Sequence, residues 1–427
     1  MKSVEELSVL VCDHGLFFPW ADMLSRTFKK TYYASPEECS FPTIGACTIG
    51  DGFENVERAG DPVNAIPRLI NEVDLFIFPD IGYADAQTYL ESIGKPVWGS
   101  RHGDNLEVYR DYFMDAIKSV GLPVAPHERV TGLDDLAKFL KGREHQYIKV
   151  SKFRGTFETF HWVNWDASYL ELAKWTTKFG PFGSKIKFMV FDPIDADVED
   201  GYDGFCVDGQ YPNQAIYGFE NKDKGYLCEI RDYKKLPEQI RQVSEAFSPM
   251  FKKLHYRNNF STEIRITDDS FFFIDPTCRL GSPPSQVMAE LVTNWPEIIW
   301  KGAHGELVQM EHEHKYGCQT TLNLKTDAGH WGIAEFPQEI RQFVKCGNCC
   351  EVDGKLCFPP TEDRDSMIGW IVATGDTMEE AIDTLKDRIS ELPDGVSSDT
   401  TALVELIQKM EDSEGIGIEL PDPAKVI

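Results

Sequence analysis

The sequence predicts a multidomain protein of α/β and α+β construction, with an amino-terminal parallel-sheet domain over residues 1–122, a central domain over 123–305 and a small α+β domain over 306–427. Three observations carry that prediction. Over roughly the first hundred residues, short apolar runs alternate with stretches of helical spacing, the pattern of strands joined by crossover helices. A helical stretch then stops at Gly121 with Pro123 just beyond, and a new unit begins. Farther on, two strand-like runs meet at the turn Thr267, Asp268, Asp269, and the tail reads as strand followed by helix.

Taken in order, Leu7 to Cys12 reads as a buried strand, Pro19 to Phe28 as helix, and Val73 to Phe78 as a second strand. Ala84 to Ile93 has helical spacing, Lys95 to Trp98 is a third strand, and Asn105 to Val120 is one helix. The loops after the first two strands, Asp13 to Gly15 and Pro79 to Tyr83, fall at carboxyl ends, where open sheets place ligands. Leu133 to Leu140 is helical, Tyr147 to Val150 is a strand, and Arg154 to Trp162 is a loop running into an aromatic strand. Tyr169 to Lys178 is helical, Lys185 to Phe191 is a buried strand, and Leu236 to Lys253 is helical. The hairpin strands are Ser261 to Ile266 and Ser270 to Ile274, followed by a helix interrupted at Asn294 to Pro296. Met367 to Ala373 is a strand, and Thr377 with Glu380 opens a capped helix whose Ala381, Ile382, Leu385 and Ile389 share a face.

The chain has 70 acidic and 43 basic side chains, a net charge of −27. That charge repels a phosphate backbone or an anionic membrane, so neither is an expected partner, although a local pocket of placed cations remains compatible with it. Residues 1–10 lack a basic start followed by an apolar run, and no stretch reaches the roughly 18 apolar residues of a membrane span. Eleven cysteines, an odd number scattered along the chain, do not form a disulfide framework. A reducing cytoplasm is the expected compartment.

Some clusters invite a metal. Cys346, Cys349, Cys350 and Cys357 lack the two separated ligand pairs of a structural zinc site, and His312 and His314 would share a strand face but have no evident further ligand. The acidic run from Asp195 has its glycine, Gly201, at the seventh place, where a calcium loop needs it at the sixth.

The chemistry concentrates between Ser261 and Pro284. If the hairpin pairs across its turn, Glu263 and Asp275 lie on adjacent strands near one end, with Thr277 on the same face as Asp275. Two carboxylates and a third oxygen are hard ligands that suit Mg²⁺ together with substrate phosphates, though acidic residues flanking a turn give the same pattern. Arg279, Gly281 and Ser282 follow and lead through Pro283 and Pro284 into a helix, placing donors for an anion beside the cation site.

This segment resembles the ATP-grasp ligases, in particular the phosphoribosylamine–glycine ligases, whose signature is Glu-x-Asn-x-Arg-x-Gly-Asp-Pro-Glu. Arg279, Gly281 and Pro283 match by identity and Asp275 by charge, while Thr277 stands for the Asn, Ser282 for the Asp and Pro284 for the Glu. Upstream, Gly94 to Ser100, Leu106, Glu107, Arg110 and Gly121 to Val124 resemble the segment leading into the ATP domain. Tyr147 to Glu158 resembles the next ATP strand and its flexible loop, and Gly369 to Ile382 the last domain of glycinamide ribonucleotide synthetases.

The resemblance implies an ATP-grasp fold and a ligase that uses ATP with Mg²⁺ or Mn²⁺ to join small-molecule carboxylate and amine substrates through an acyl phosphate, with room for a homodimer. By position it implies Arg110, Lys149, Lys152, Arg154, Gly155 and Thr156 at the phosphates, Asp192 and Ile194 in the adenine-reading hinge, and Asp197 or Glu199 at the ribose. Glu263, Asp275 and Thr277 would hold the metal, and Arg279 and Gly281 would serve the transferring group. In so acidic a chain, Arg110, Lys149, Lys152, Arg154 and Arg279 are expected to converge on one anion. The family's glycine-rich amino-terminal loop, which holds the ribose phosphate, is replaced by Val11 to Phe18, so the expected amine is not phosphoribosylamine. Trp20, Asp80, Tyr83, Arg101 and His102 are candidates for the acceptor pocket. The rival readings are a phosphotransferase on the same scaffold and a nucleotide-binding regulatory protein without turnover.

Overall fold

The structure is a computed structural model that describes residues 2–36, 48–151, 159–195, 198–221, 224–267, 269–361 and 363–414. Its strands are β1 Ser8–Cys12, β2 Lys30–Ala34, β3 Val56–Gly60, β4 Leu75–Ile77, β5 Val97–Trp98, β6 His127–Thr131, β7 Gln146–Val150, β8 Thr159–Trp162 and β9 Lys187–Phe191. They continue with β10 Val198–Asp200, β11 Asp203–Val207, β12 Gln214–Asn221, β13 Gly225–Asp232, β14 Arg257–Ile266, β15 Phe271–Thr277 and β16 Tyr316–Lys325. The last are β17 Gly332–Ala334, β18 Val344–Cys346, β19 Cys350–Val352, β20 Lys355–Phe358, β21 Asp365–Gly375 and β22 Val396–Ser397.

The first five strands form a parallel sheet in the order β3-β2-β1-β4-β5. β1 is buried on both faces, which is why it reads as a continuous apolar run: Val9 and Val11 enter the main core, Leu10 and Cys12 the core on the opposite face. The strand order reverses between β1 and β4, so the crevice outside their carboxyl ends lies between the loop after β1 and Pro79–Tyr83.

A second, antiparallel sheet has the order β6-β9-β7-β8. Helices Leu133–Leu140 and Trp165–Phe179 cover it and bury Leu136, Leu140, Trp162, Trp175 and Phe188 in one cluster. The largest sheet runs β10-β14-β11-β12-β13-β16-β21-β18, with β15 on β14 and β22 on β16. Helix Glu238–Lys253 contributes Ile240, Val243, Phe247 and Phe251 to its core at helical spacing. This sheet passes without a break across residues 305 and 306, because β13 pairs with β16. A small sheet, β17-β20-β19, completes the carboxyl-terminal part.

The helix expected over Asn105 to Val120 is two helices, Asn105–Val108 and Arg110–Ser119. Tyr109 between them is extended at φ −115° and ψ 98°, and the Arg110 amide beyond it donates to the Ser151 carbonyl at 2.9 Å. His312 and His314 lie outside any strand, correcting the shared-face expectation: His312 bonds the His314 carbonyl at 3.1 Å, while His314 faces Asp376 at 3.0 Å. Among the described residues, no helix is long and apolar enough to cross a membrane.

Candidate active site where the sheets meet

β14 and β15 pair as the expected hairpin, with Glu263 opposite Asp275 and Ser261 opposite Thr277. The register shifts immediately after Glu263, so that Ile264 faces Phe273 and the bulge adds one residue, Ile274, to β15. Both carboxylates therefore sit at one end of a bent hairpin, each only partly buried.

Two cations from other elements meet there. Arg110, at the start of its helix beyond the break at Tyr109, grips Asp275 with both terminal nitrogens, Nη1 to Oδ1 at 3.0 Å and Nη2 to Oδ2 at 3.2 Å. Lys149 on β7 donates to Asp275 Oδ2 at 3.1 Å. The Arg110 side chain is 4% exposed and Asp275 20%, so the pair is held in a poorly solvated place yet keeps an open side. A forked guanidinium on a carboxylate is among the stronger polar contacts available to a protein.

Arg279 meets carboxylates other than Asp275. The Glu107 carboxylate, 1% exposed, takes the Arg279 Nε at 2.9 Å and the Cys278 amide at 2.7 Å. Asp80 lies 3.6 Å from the same Nε. Gly281 accepts from the Ser285 amide at 2.9 Å, and a Cβ there would stand 2.6 Å from Pro284 Cδ, so the turn into helix Ser285–Leu291 excludes larger residues.

Asp80 belongs to a second cluster, at the crevice between β1 and β4. Its Oδ2 meets His14 Nδ1 at 2.9 Å, and Tyr83 stacks on the His14 ring with centroids 4.9 Å apart. Burial alone would raise the Asp80 carboxyl, but the His14 hydrogen bond and the Arg279 charge outweigh it and hold it below its ordinary value. Burial works against a charged His14, and its bond to Asp80 reverses that and raises it. Asp13 accepts from the Gly15 and Phe17 amides at 2.9 and 2.6 Å and from the Tyr33 hydroxyl, yet burial still pushes its carboxyl up to about 6.

Asp192 and Ile194 follow β9, Asp192 exposed with its amide on the Pro126 carbonyl at 3.2 Å and Ile194 half-buried. The Glu199 backbone lies in β10 opposite Arg265. Lys152, Arg154, Gly155, Thr156 and Asp197 lie outside the described residues. Of the acceptor-pocket candidates, Asp80 and Tyr83 border the crevice, whereas Trp20 and Arg101 are structural. Trp20 Nε1 donates to the Ser285 carbonyl at 3.1 Å in the core, and Arg101 is buried against Glu91 at 3.0 Å and the Gly99 carbonyl at 2.8 Å. His102 sits at the surface, 3.6 Å from Asp85. Cys349 donates to the Cys346 carbonyl at 3.5 Å and Cys350 to the Cys357 carbonyl at 3.7 Å, and burial pushes the Cys346 thiol up to about 12.

Sequence reasoning placed Glu107 in the segment leading into the ATP domain and His14 in a loop at a strand's carboxyl end, but gave neither a role in the site. Glu107 and Arg110 would share one face of an unbroken helix at i and i+3, which reads as a local ion pair. In the structure each turns to the strand segment after β14, Glu107 to residues 278 and 279 and Arg110 to residue 275.

No sequence-family model and no curated protein matches the chain. Its architecture is nonetheless a defined one: a parallel sheet with a crevice at its switch point, a four-stranded lobe carrying Lys149, and a larger lobe carrying the Glu263–Asp275 hairpin make up the ATP-grasp fold. Among solved structures, phosphoribosylamine–glycine ligase from Thermotoga maritima superposes with a TM-score of 0.69 at 15% identity, covering 92% of this chain and 98% of that one. N5-carboxyaminoimidazole ribonucleotide synthetase from Thermotoga maritima gives 0.58 at 13% identity, covering 92% and 100%. The biotin carboxylase domain of Hydrogenobacter thermophilus 2-oxoglutarate carboxylase, solved as a dimer with MgADP, ADP and bicarbonate, gives 0.61 at 13% identity, covering 97% and 96%.

Proposed function

We propose that the chain is an ATP- and Mg²⁺-dependent carboxylate–amine ligase that makes an amide through an acyl phosphate and releases ADP and phosphate, with an amine other than phosphoribosylamine. The observation that carries this is the meeting of Arg110 and Lys149 on Asp275, directly across the hairpin from Glu263. Two cations and the Asp275 carboxylate are there in contact, with Glu263 paired opposite on the neighbouring strand.

The donor set fits a small hard cation. Glu263, Asp275 and Thr277 offer only oxygen, and among the described residues no group of three or more His, Cys, Asp or Glu is gathered that would hold a metal by itself. A site of one or two carboxylates completed by substrate phosphates is the ordinary environment of Mg²⁺, and Mn²⁺ takes the same ligands. When bound, such an ion would neutralise charge on the phosphates. Arg110 and Lys149 then hold phosphate oxygens, Asp192 and Ile194 present hinge backbone to the adenine, and Asp197 or Glu199 meets the ribose. Lys152, Arg154, Gly155 and Thr156 belong to the loop that closes over the phosphates. Arg279, aimed by Glu107, faces the charge on the transferring group, and Gly281 keeps the turn beside it tight.

In this reading residues 1–122 hold the amine, 123–305 clamp ATP and 306–427 close the acceptor side. Rate comes from positioning and electrostatics. The test is ADP release measured against pools of carboxylates and amines. Release that needs one of each supports the ligase. Phosphate found on a hydroxyl acceptor would establish a kinase instead, and tight ADP binding with no release from any pair would establish a regulatory protein.

A further inference from the structure

Between the loop after β1 and the carboxyl-terminal strands lies a cleft of about 730 Å³, within the roughly 300–1,000 Å³ that small-molecule sites occupy. Its walls are held together by main-chain bonds from both sides: Asn348 N to the Gly15 carbonyl at 3.1 Å, Gly50 N to Cys349 at 2.9 Å and Glu351 N to Asp51 at 2.8 Å. Gly15 has φ +103°, and a Cβ there would stand 2.5 Å from Asn348 Oδ1, so the approach needs a glycine. The cleft is therefore preformed.

Its lining is largely apolar, with Leu16, Trp331, Phe358, Met367, Ile368 and Trp370 facing it. Two ionisable side chains reach it among the described residues, and each already faces a carboxylate: Lys345 donates to Glu290 and to the Gln342 carbonyl at 2.7 Å, and His14 meets Asp80 at 2.9 Å. A phosphate dianion would have to compete with those carboxylates for its donors. At the His14 end the surroundings are acidic, with Asp13, Asp80 and Asp104 on the neighbouring loops. There Asp104 accepts the Gly82 amide at 3.0 Å, and Asp80 stands 3.6 Å from Arg279 Nε. That end favours an ammonium, while the aromatic walls favour an apolar body.

We propose that this cleft binds the amine substrate, that the amine carries an apolar or aromatic body and no phosphate, and that its nitrogen lies at His14, next to the Asp80–Arg279 contact. The proposal rests on the ligase reading and adds the substrate class to it.

Titration calorimetry on the full chain tests it, with 2-phenylethylamine and tryptamine as apolar probes and glucosamine 6-phosphate as a phosphorylated one. The expected result is saturable binding of the apolar amines, weaker or absent binding of the phosphorylated one, and roughly tenfold weaker binding of 2-phenylethylamine in Met367→Arg, which brings a charge into the apolar wall. Trp331→Ala, which removes only a ring, should weaken it about fivefold. In both variants MgADP affinity stays at the wild-type value, which also reports an intact fold. Tighter binding of glucosamine 6-phosphate, no saturable binding of either apolar amine, or variants that bind as wild type does would overturn the assignment. Failure of the ligase reading registers in a different assay, as a wild-type chain that releases no ADP with any pairing of carboxylate and amine.

Discussion

Replacing Asp275 by Asn separates the two roles given to that carboxylate. In the unliganded protein it accepts two bonds from Arg110, whose side chain is 4% exposed, and one from Lys149. Asn keeps the shape and one acceptor but not the charge. Removing one partner of a buried ion pair costs about 3–5 kcal/mol, and the retained amide oxygen and open side lower this to about 2–3 kcal/mol, read as a fall in the denaturation midpoint. Nucleotide binding should move the other way when metal is absent. Phosphates arriving without Mg²⁺ must displace a carboxylate from both cations in the wild type, and in the variant only a neutral amide oxygen. Relief of one charged hydrogen bond, about 1.5 kcal/mol, predicts ADP affinity in EDTA about tenfold higher in the variant. With Mg²⁺ present, the wild type gains affinity and the variant gains far less. Calorimetric titration of ADP with EDTA and with Mg²⁺ measures both. An equal Mg²⁺ effect in the two proteins, or a lower metal-free affinity in Asp275→Asn, would refute the placement of Asp275 between the cations and the metal.

Three further outcomes are expected. Glu107→Gln weakens the hold on Arg279 Nε and the Cys278 amide, so turnover should drop at least about tenfold while MgADP affinity stays within about twofold; equal losses in both would mean Glu107 only supports the fold. Asp200 is buried with its Oδ2 on the Tyr217 hydroxyl at 2.5 Å, and burial raises its carboxyl from 3.8 to about 7. The unfolded chain therefore releases this proton first as pH rises, so the stability contribution falls between 3.8 and about 7 and is level above. Asp200→Asn should gain thermal stability relative to wild type across that window, by at most on the order of 4 kcal/mol, and a pH-independent difference would contradict the burial cause. Gly52 has φ +84°, and a Cβ there would collide with the Glu351 carbonyl oxygen, so Gly52→Ala should lower stability by about 2 kcal/mol or more in urea titrations.

Much of the fold is legible where one physical rule dominates. β1 reads as an almost continuous apolar run because both its faces are buried, and the β14–β15 hairpin announces itself by two strand-like runs on either side of a polar turn, which puts Glu263 and Asp275 near one end of adjacent strands, while the bulge after Glu263 sets them directly opposite. β16 is harder to read because Gln319, Thr320 and Thr321 are polar and buried. Gln319 satisfies itself on the Val287 amide at 2.7 Å and on Gln286 at 3.1 Å, and no apolar alternation marks the strand that carries the largest sheet past residue 306. The break at Tyr109 leaves no local trace either, since every residue around it tolerates a helix; docking of the Arg110 amide on Ser151 makes it. Arg110 and Lys149 came from the order of resembling segments along the chain, and the structure adds that they share a carboxylate. Arg279 shows the limit of that order, because its direction depends on Glu107, a residue whose partner lies in another element.

The net charge of −27 bears on how such a site works at all. The cations described around the crevice are each in contact with a carboxylate: Arg110 and Lys149 with Asp275, Arg279 with Glu107, Lys345 with Glu290, His14 with Asp80. An anion that arrives alone finds its donors engaged and enters an acidic field, so its binding is opposed twice. A phosphate chain that arrives with a divalent cation meets a different balance. The carboxylate of Asp275, displaced from Arg110 and Lys149, would then have a new partner beside Glu263, and the two freed cations would turn to the phosphates in one exchange of ion pairs. Under the ligase reading, the same acidity makes the site selective for metal-bound nucleotide over free phosphate anions. Raising inorganic phosphate in the Mg²⁺-free assay should therefore compete poorly with ADP in the wild type and better in Asp275→Asn.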